Sequence, residues 1–144
     1  MIRLSALFVL LSAPAMAQTL GLPGNCTAYL TVQMTECKVT HYVTCAGDPA
    51  GQQYAVDLYP GDGDFISTLD AEAQWILSAD GYDGRLETLG PDPVDPASLT
   101  ELIGTGADSY DFTTVLADGT VTRFVGKEAL TGRVNIDGME LLEA

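Results

Sequence analysis

Three cysteines and one histidine are the residues in this chain best suited to chemistry. Cys26, Cys37 and Cys45 fall within twenty positions of one another, and His41 lies between the last two. A thiol and an imidazole are the right types for a nucleophile and its base. On one extended strand, however, Cys37 and His41 would stand roughly 13 Å apart at about 3.3 Å per residue. Such a pair needs hydrogen-bond contact, so the spacing argues against it. A single histidine also excludes three-histidine zinc centres and the HExxH arrangement. No GxSxG elbow, phosphate-binding loop or GxGxxG turn occurs. The sequence therefore designates no catalytic residue and implies no cofactor.

The cysteines read more naturally as structure. Folding 26–34 back on 37–45, with Thr35-Glu36 as the turn, sets Cys26 opposite Cys45. In that register Cys26, Ala28, Leu30, Val32 and Met34 share a face with Cys37, Val39, His41, Val43 and Cys45. Tyr29, Thr31 and Gln33 fall on the other face with Lys38, Thr40, Tyr42 and Thr44. Directly opposed β-carbons are close enough for a disulfide. The expected bridge is Cys26–Cys45, with Cys26–Cys37 as the alternative and Cys37 left as a buried thiol.

Carboxylates are the other chemical resource: 20 acidic residues against six basic ones, for a net charge of −14. That field disfavours nucleic acid and anionic lipid as partners. Asp57, Asp62 and Asp64 flank a Pro-Gly turn and are the calcium candidates, since calcium takes several oxygens on flexible loops. They lack the EF-hand order, and Asp-Gly is also ordinary hairpin chemistry. Nothing marks two of the acids as a glycosidase-like pair.

The first residues address the chain rather than fold it. Met1-Ile2-Arg3, the apolar stretch Leu4–Leu11 and Ala15-Met16-Ala17 form the basic, apolar and small-residue regions of a secretory signal. The apolar stretch is too short to span a bilayer, and no later one is long enough. The sequence thus predicts a signal peptide over 1–17 and a periplasmic or secreted protein over 18–144. That remainder reads as a single β-rich domain, or a piece of a longer one.

Turn signals recur through it: Gly47-Asp48-Pro49, Pro60-Gly61-Asp62-Gly63, Asp80-Gly81, Asp83-Gly84, Asp118-Gly119 and Asp137-Gly138. Strands are expected at 54–59, 64–69, 109–116, 120–125, 133–136 and 139–142. In the 109–116 run Tyr110, Phe112, Thr114 and Leu116 share one face. Residues 71–78 are read as a further strand with Ala73, Trp75 and Leu77 inward. One short helix is expected near 96–103, with Asp95 as N-cap, Pro96 at its first position and Gly104 closing it. Its apolar side would be Leu99, Leu102 and Ile103. The fold class is mainly β: an antiparallel meander closing into a barrel or half-barrel, one face buried. The last strand, 139–142, either pairs with the first to close the barrel or stands at an open edge.

Two stretches carry a resemblance: Cys37-Lys38-Val39-Thr40-His41-Tyr42, and the tail through Asp111-Phe112-Thr113-Thr114, Asp118-Gly119-Thr120-Val121-Thr122-Arg123 and Ile136-Asp137-Gly138. In these the chain resembles uncharacterised exported proteins of Gram-negative bacteria. The resemblance implies export and a β-rich fold, and no activity. The expected function is non-enzymatic binding of an apolar or amphipathic small molecule, or of a periplasmic protein, with Trp75, Tyr110, Phe112 and Phe124 facing the ligand. An acid-dependent hydrolase and a structural envelope protein are the alternatives.

Overall fold

A computed structural model describes residues 24–35, 38–59, 63–80 and 84–144. The signal segment 1–17, Cys37 and Asp62 lie outside them. Among the described residues ten strands and one helix follow one another as β1 (Cys26–Gln33), β2 (Val39–Cys45), β3 (Gln53–Tyr59), β4 (Gly63–Leu69), β5 (Trp75–Asp80), β6 (Leu86–Leu89), α1 (Leu99–Thr105), β7 (Ala107–Leu116), β8 (Val121–Ala129), β9 (Gly132–Ile136) and β10 (Met139–Glu143). The first eight strands form one antiparallel sheet in sequence order, and β9 and β10 pair only with each other. The meander is as expected. Its closure is not found among the described residues: there β1 and β8 are the two edges of the sheet, and β10 lies against β9 rather than β1.

The cross-strand registers divide the sheet into two faces. One, the disulfide face, carries Val43, Tyr54, Thr68, Leu77 and Thr88 in successive strands. The other, the aromatic face, carries Asp57, Phe65, Ser78, Glu87, Phe112 and Phe124. Neither is sealed as a core. Among the described residues the buried hydrophobics are Val43, Val56 and Leu102 alone, and of these only Val43 is fully enclosed. The expectation of one buried face therefore needs correcting: both faces are half-covered, and polar Thr40, Thr68, Gln74, Ser78, Asp108 and Thr114 are among the most buried side chains.

Two bulges decide which side chains go where. The β1–β2 register begins as expected, Cys26 opposite Cys45 and Ala28 opposite Val43, but then shifts so that Leu30 faces Tyr42. The extra residue is Tyr29. Because side chains alternate with period two, one inserted residue sends everything beyond it to the opposite face. Leu30 and Val32 therefore leave the cysteine side, contrary to the expected segregation, and join Tyr42 and Thr40. A second bulge lies between β4 and β5, where Thr68 pairs with Leu77 but Leu69 pairs with Trp75. Trp75 and Leu77, expected on one face, are thus on opposite faces. Ala73 is not in a strand: it sits in the β4–β5 turn with φ 62°. Asp70 organises that turn, its Oδ1 accepting from the amides of Glu72 and Gln74, both at 2.9 Å.

The helix starts later than its sequence signals suggest. Asp95 exchanges backbone hydrogen bonds with Asp111 at 2.7 and 3.0 Å, which keeps it extended and removes it as a cap. Ser98 takes that role, its Oγ accepting from Glu101 N at 3.1 Å. Gly106, with φ 85°, closes the helix in place of Gly104. Only Leu102 of its apolar residues is buried; Leu99 and Ile103 remain exposed. Strand β6 had no counterpart among the expected strands. Just beyond it, Gly90 N bonds Thr113 O at 2.7 Å, and a β-carbon at Gly90 would collide with Thr113.

Candidate functional site

The four side chains expected to face a ligand lie on one side of the sheet. Phe112 and Phe124 are direct partners across β7–β8, their rings stacked at 5.4 Å with planes 20° apart. Tyr110, two residues along the same face, is 5.8 Å from Phe112 centroid to centroid. Its ring occupies the space over Gly126, its partner in β8, where any β-carbon would collide with it. An aromatic ring laid over a strand glycine covers backbone that would otherwise lie bare. Trp75 arrives from β5 through the bulge described above. Its position is secured on the preceding residue: Gln74, 2% exposed, donates through Nε2 to Trp75 O at 2.8 Å and accepts from Ala97 N at 2.8 Å.

These rings wall a groove of about 260 Å³ together with Phe65 of β4, which the sequence reading did not single out; Tyr110 stands outside its lining. Ser78, Glu87 and Thr114 supply its polar lining. Glu87 Oε1 accepts a hydrogen bond from the Thr114 hydroxyl, and Thr114 itself is 2% exposed. Phe65 could have been found from the alternation of 64–69. Glu87 could not, because its strand carries only four residues and no strong pattern.

A second groove, of about 380 Å³, opens on the disulfide face beside Cys26 and Cys45, over Val43, Val56 and Ile66. Its polar groups already satisfy one another. Tyr54 donates to Asp48 Oδ2 at 2.7 Å and accepts from Gln52 Nε2 at 2.7 Å, while Asn25 Nδ2 is bound to Ala46 O at 3.0 Å. The Asp48 carboxylate beside it raises the Tyr54 hydroxyl above the usual phenol range. This groove is roomy but offers a ligand few unsatisfied polar groups.

The cysteine pairing is as expected, with Cys26 and Cys45 joined by a disulfide. Of the calcium candidates, Asp57 and Asp64 do not converge. Asp57 is opposite Phe65, whereas Asp64 is opposite Leu58, so they occupy different faces. Asp57 is also held by Lys38 Nζ at 2.8 Å and the Thr40 hydroxyl at 2.6 Å. Among the described residues no group of three metal-ligating side chains is gathered. His41 Nδ1 is engaged by the Thr31 hydroxyl at 2.8 Å.

Other carboxylates act as local fasteners. Asp111 chelates Arg123, Oδ1 to Nε at 2.7 Å and Oδ2 to Nη2 at 2.5 Å, and the guanidinium holds the Asp111 carboxyl below its ordinary range. Asp95 accepts from Ser109 Oγ at 2.7 Å. Glu72 accepts from the Thr100 amide and hydroxyl and from Ser98 Oγ, tying the β4–β5 turn to the start of α1. Asp108, 5% exposed, accepts from Ser98 N through Oδ2, while its buried Oδ1 finds no hydrogen-bond partner among the described residues.

No helix among the described residues is long and apolar enough to cross a membrane. Comparison with known proteins finds no family model, no curated relative and no solved structure that matches this chain.

Proposed function

We propose that this is a non-enzymatic, exported binding protein whose aromatic groove takes an amphipathic small molecule. The observation that carries the reading is the gathering of Phe65, Trp75, Phe112 and Phe124 around a polar floor. Ligand sites are concave, largely apolar and furnished with a few polar groups that orient the guest. The groove volume of about 260 Å³ suits a small ligand or the head of a longer one. In this reading the meander acts as an open half-barrel and the aromatic face is its inner surface. The working compartment is the periplasm or the exterior, which the N-terminal signal pattern and the Cys26–Cys45 bridge favour. The resemblance to exported Gram-negative proteins points the same way.

Native mass spectrometry of the protein from its own periplasm tests this. A bound species of defined mass is expected, lost in a Phe112→Ala/Phe124→Ala variant that still folds. An empty wild-type protein whose Trp75 fluorescence responds to no amphiphile would overturn it.

A second reading, docking of a partner protein, has its own observation. Among the described residues strand β8 is an unpaired edge of the large sheet, with Val125 66% exposed and Val121 exposed beside it. A bare edge of that kind is a template for strand addition. Light scattering of the isolated protein, with and without periplasmic extract, separates edge pairing from groove binding.

A further inference from the structure

The reading above leaves the chemical class of the ligand open, and Glu87 narrows it. One carboxylate oxygen, Oε1, accepts from the Thr114 hydroxyl. Among the described residues no hydrogen bond or ion pair reaches Oε2, and no basic side chain neutralises the charge. Lys38 is bound to Asp57, Arg85 to Asp80, Arg123 to Asp111 and Arg133 to Glu140. Lys127 stands opposite Ser109, on the disulfide face. The groove thus holds one uncompensated negative charge among four aromatic rings.

That combination discriminates between guests. A neutral apolar ligand filling the groove would cover Oε2 without giving it a partner, and burying an unpaired charged group is costly. An anion would face Glu87 and the field of a chain with net charge −14. An organic cation meets neither penalty: its charge pairs with the carboxylate, and the surrounding rings attract it through their quadrupoles.

Resting on the binding reading, we infer that the aromatic groove is selective for small organic cations, an ammonium head at Glu87 Oε2 with an apolar body over Trp75, Phe112 and Phe124. The charge sits where it neutralises Glu87, and the body extends along the aromatic face towards Tyr110.

Trp75 is the only tryptophan in the chain and lines the groove, so its fluorescence reports occupancy. The probes are octyltrimethylammonium, octyl glucoside and octanesulfonate, each below its micelle concentration. Octyltrimethylammonium should bind about tenfold more tightly than octyl glucoside, and octanesulfonate weakest of all. Glu87→Gln keeps an acceptor for Thr114 but removes the charge, so it should abolish the cation preference, bringing octyltrimethylammonium affinity down to about that of octyl glucoside. Glu101→Gln removes one exposed charge outside the groove and should leave the preference intact. Circular dichroism establishes that both variants fold; should Glu87→Gln not fold, titrating wild type at 0.5 M salt substitutes. There a preference set by contact at Glu87 persists, and one set by net charge collapses. Equal binding of all three probes, or a preference surviving Glu87→Gln, would overturn the cation inference and leave the groove standing. Absence of binding by every probe would overturn both.

Discussion

Phe112 and Phe124 face each other across β7 and β8 with stacked rings, 5.4 Å between centroids. Cross-strand aromatic pairs contribute beyond the area they bury, by about 0.5–1.5 kcal/mol. A double-mutant cycle with Phe112→Ala and Phe124→Ala should return a coupling energy in that range, read by urea denaturation. Additive single-site effects would mean that the two rings only happen to be neighbours.

Two glycines should respond to alanine in opposite directions. At Gly90 a β-carbon would meet the Thr113 side chain and backbone carbonyl, at the point where the chain leaving β6 still bonds β7. Gly90→Ala should destabilise by about 1–3 kcal/mol, as overpacking does. At Gly104, inside α1, a β-carbon would meet open space. Gly104→Ala should stabilise by about 0.5–1 kcal/mol, the usual difference between these residues in a helix. Thermal melts of the two variants provide the comparison. A neutral Gly90→Ala would show that the β6–β7 junction has room to relax.

The disulfide yields a chemical prediction. Cys26 and Cys45 are 19 residues apart in sequence and bridged. Opening such a loop by Cys26→Ala/Cys45→Ala should cost about 2–4 kcal/mol. Alkylation of the unfolded, unreduced protein followed by peptide mapping should label Cys37 alone. Labelling of Cys45 instead would assign the bridge to Cys26–Cys37.

Glu72 sets an acid response. Hydrogen bonds from the Thr100 amide, then the Thr100 and Ser98 hydroxyls, hold its carboxyl below the ordinary range. A carboxyl whose folded value is depressed contributes stability above its unfolded value, about 4.3, and loses it as the pH falls through the folded one. The contact between the β4–β5 turn and α1 should therefore loosen in acid. The Thr100 amide, bound to Glu72 Oε2 at 2.9 Å, is the reporter. Its exchange protection, normalised to a β7 amide, should drop in wild type as the pH falls beneath the ordinary glutamate range. Glu72→Gln should flatten that dependence. Equal acid sensitivity in both proteins would place the trigger elsewhere.

Much of this protein was legible as a string of residues. Asp-Gly turns and alternating runs marked β3, β4, β7, β8, β9 and β10, because turn geometry and side-chain alternation are local properties of the chain. The alternation of 109–116 correctly put Tyr110, Phe112 and Thr114 on one face, and the opposition of Cys26 and Cys45 followed from a simple hairpin register. What the sequence did not disclose were the two one-residue bulges, at Tyr29 and between Trp75 and Leu77. A bulge is chosen by how two strands meet, and period-two counting then fails for every residue past it. Asp95 shows the same limit. By itself Asp-Pro is a helix start, but once the 91–97 connector lies along β7, its backbone bonds to Asp111 outweigh the cap and Ser98 inherits the role. The groove belongs wholly to the tertiary level. Phe65, Trp75, Glu87, Phe112 and Phe124 come from five strands spread over sixty positions, and only the registers of the sheet bring an aromatic wall and a lone carboxylate together. Local sequence determined most of the segments that became strands, β6 excepted; the pairing between them, a long-range choice settled by packing and hydrogen bonding, decided what the strands jointly present.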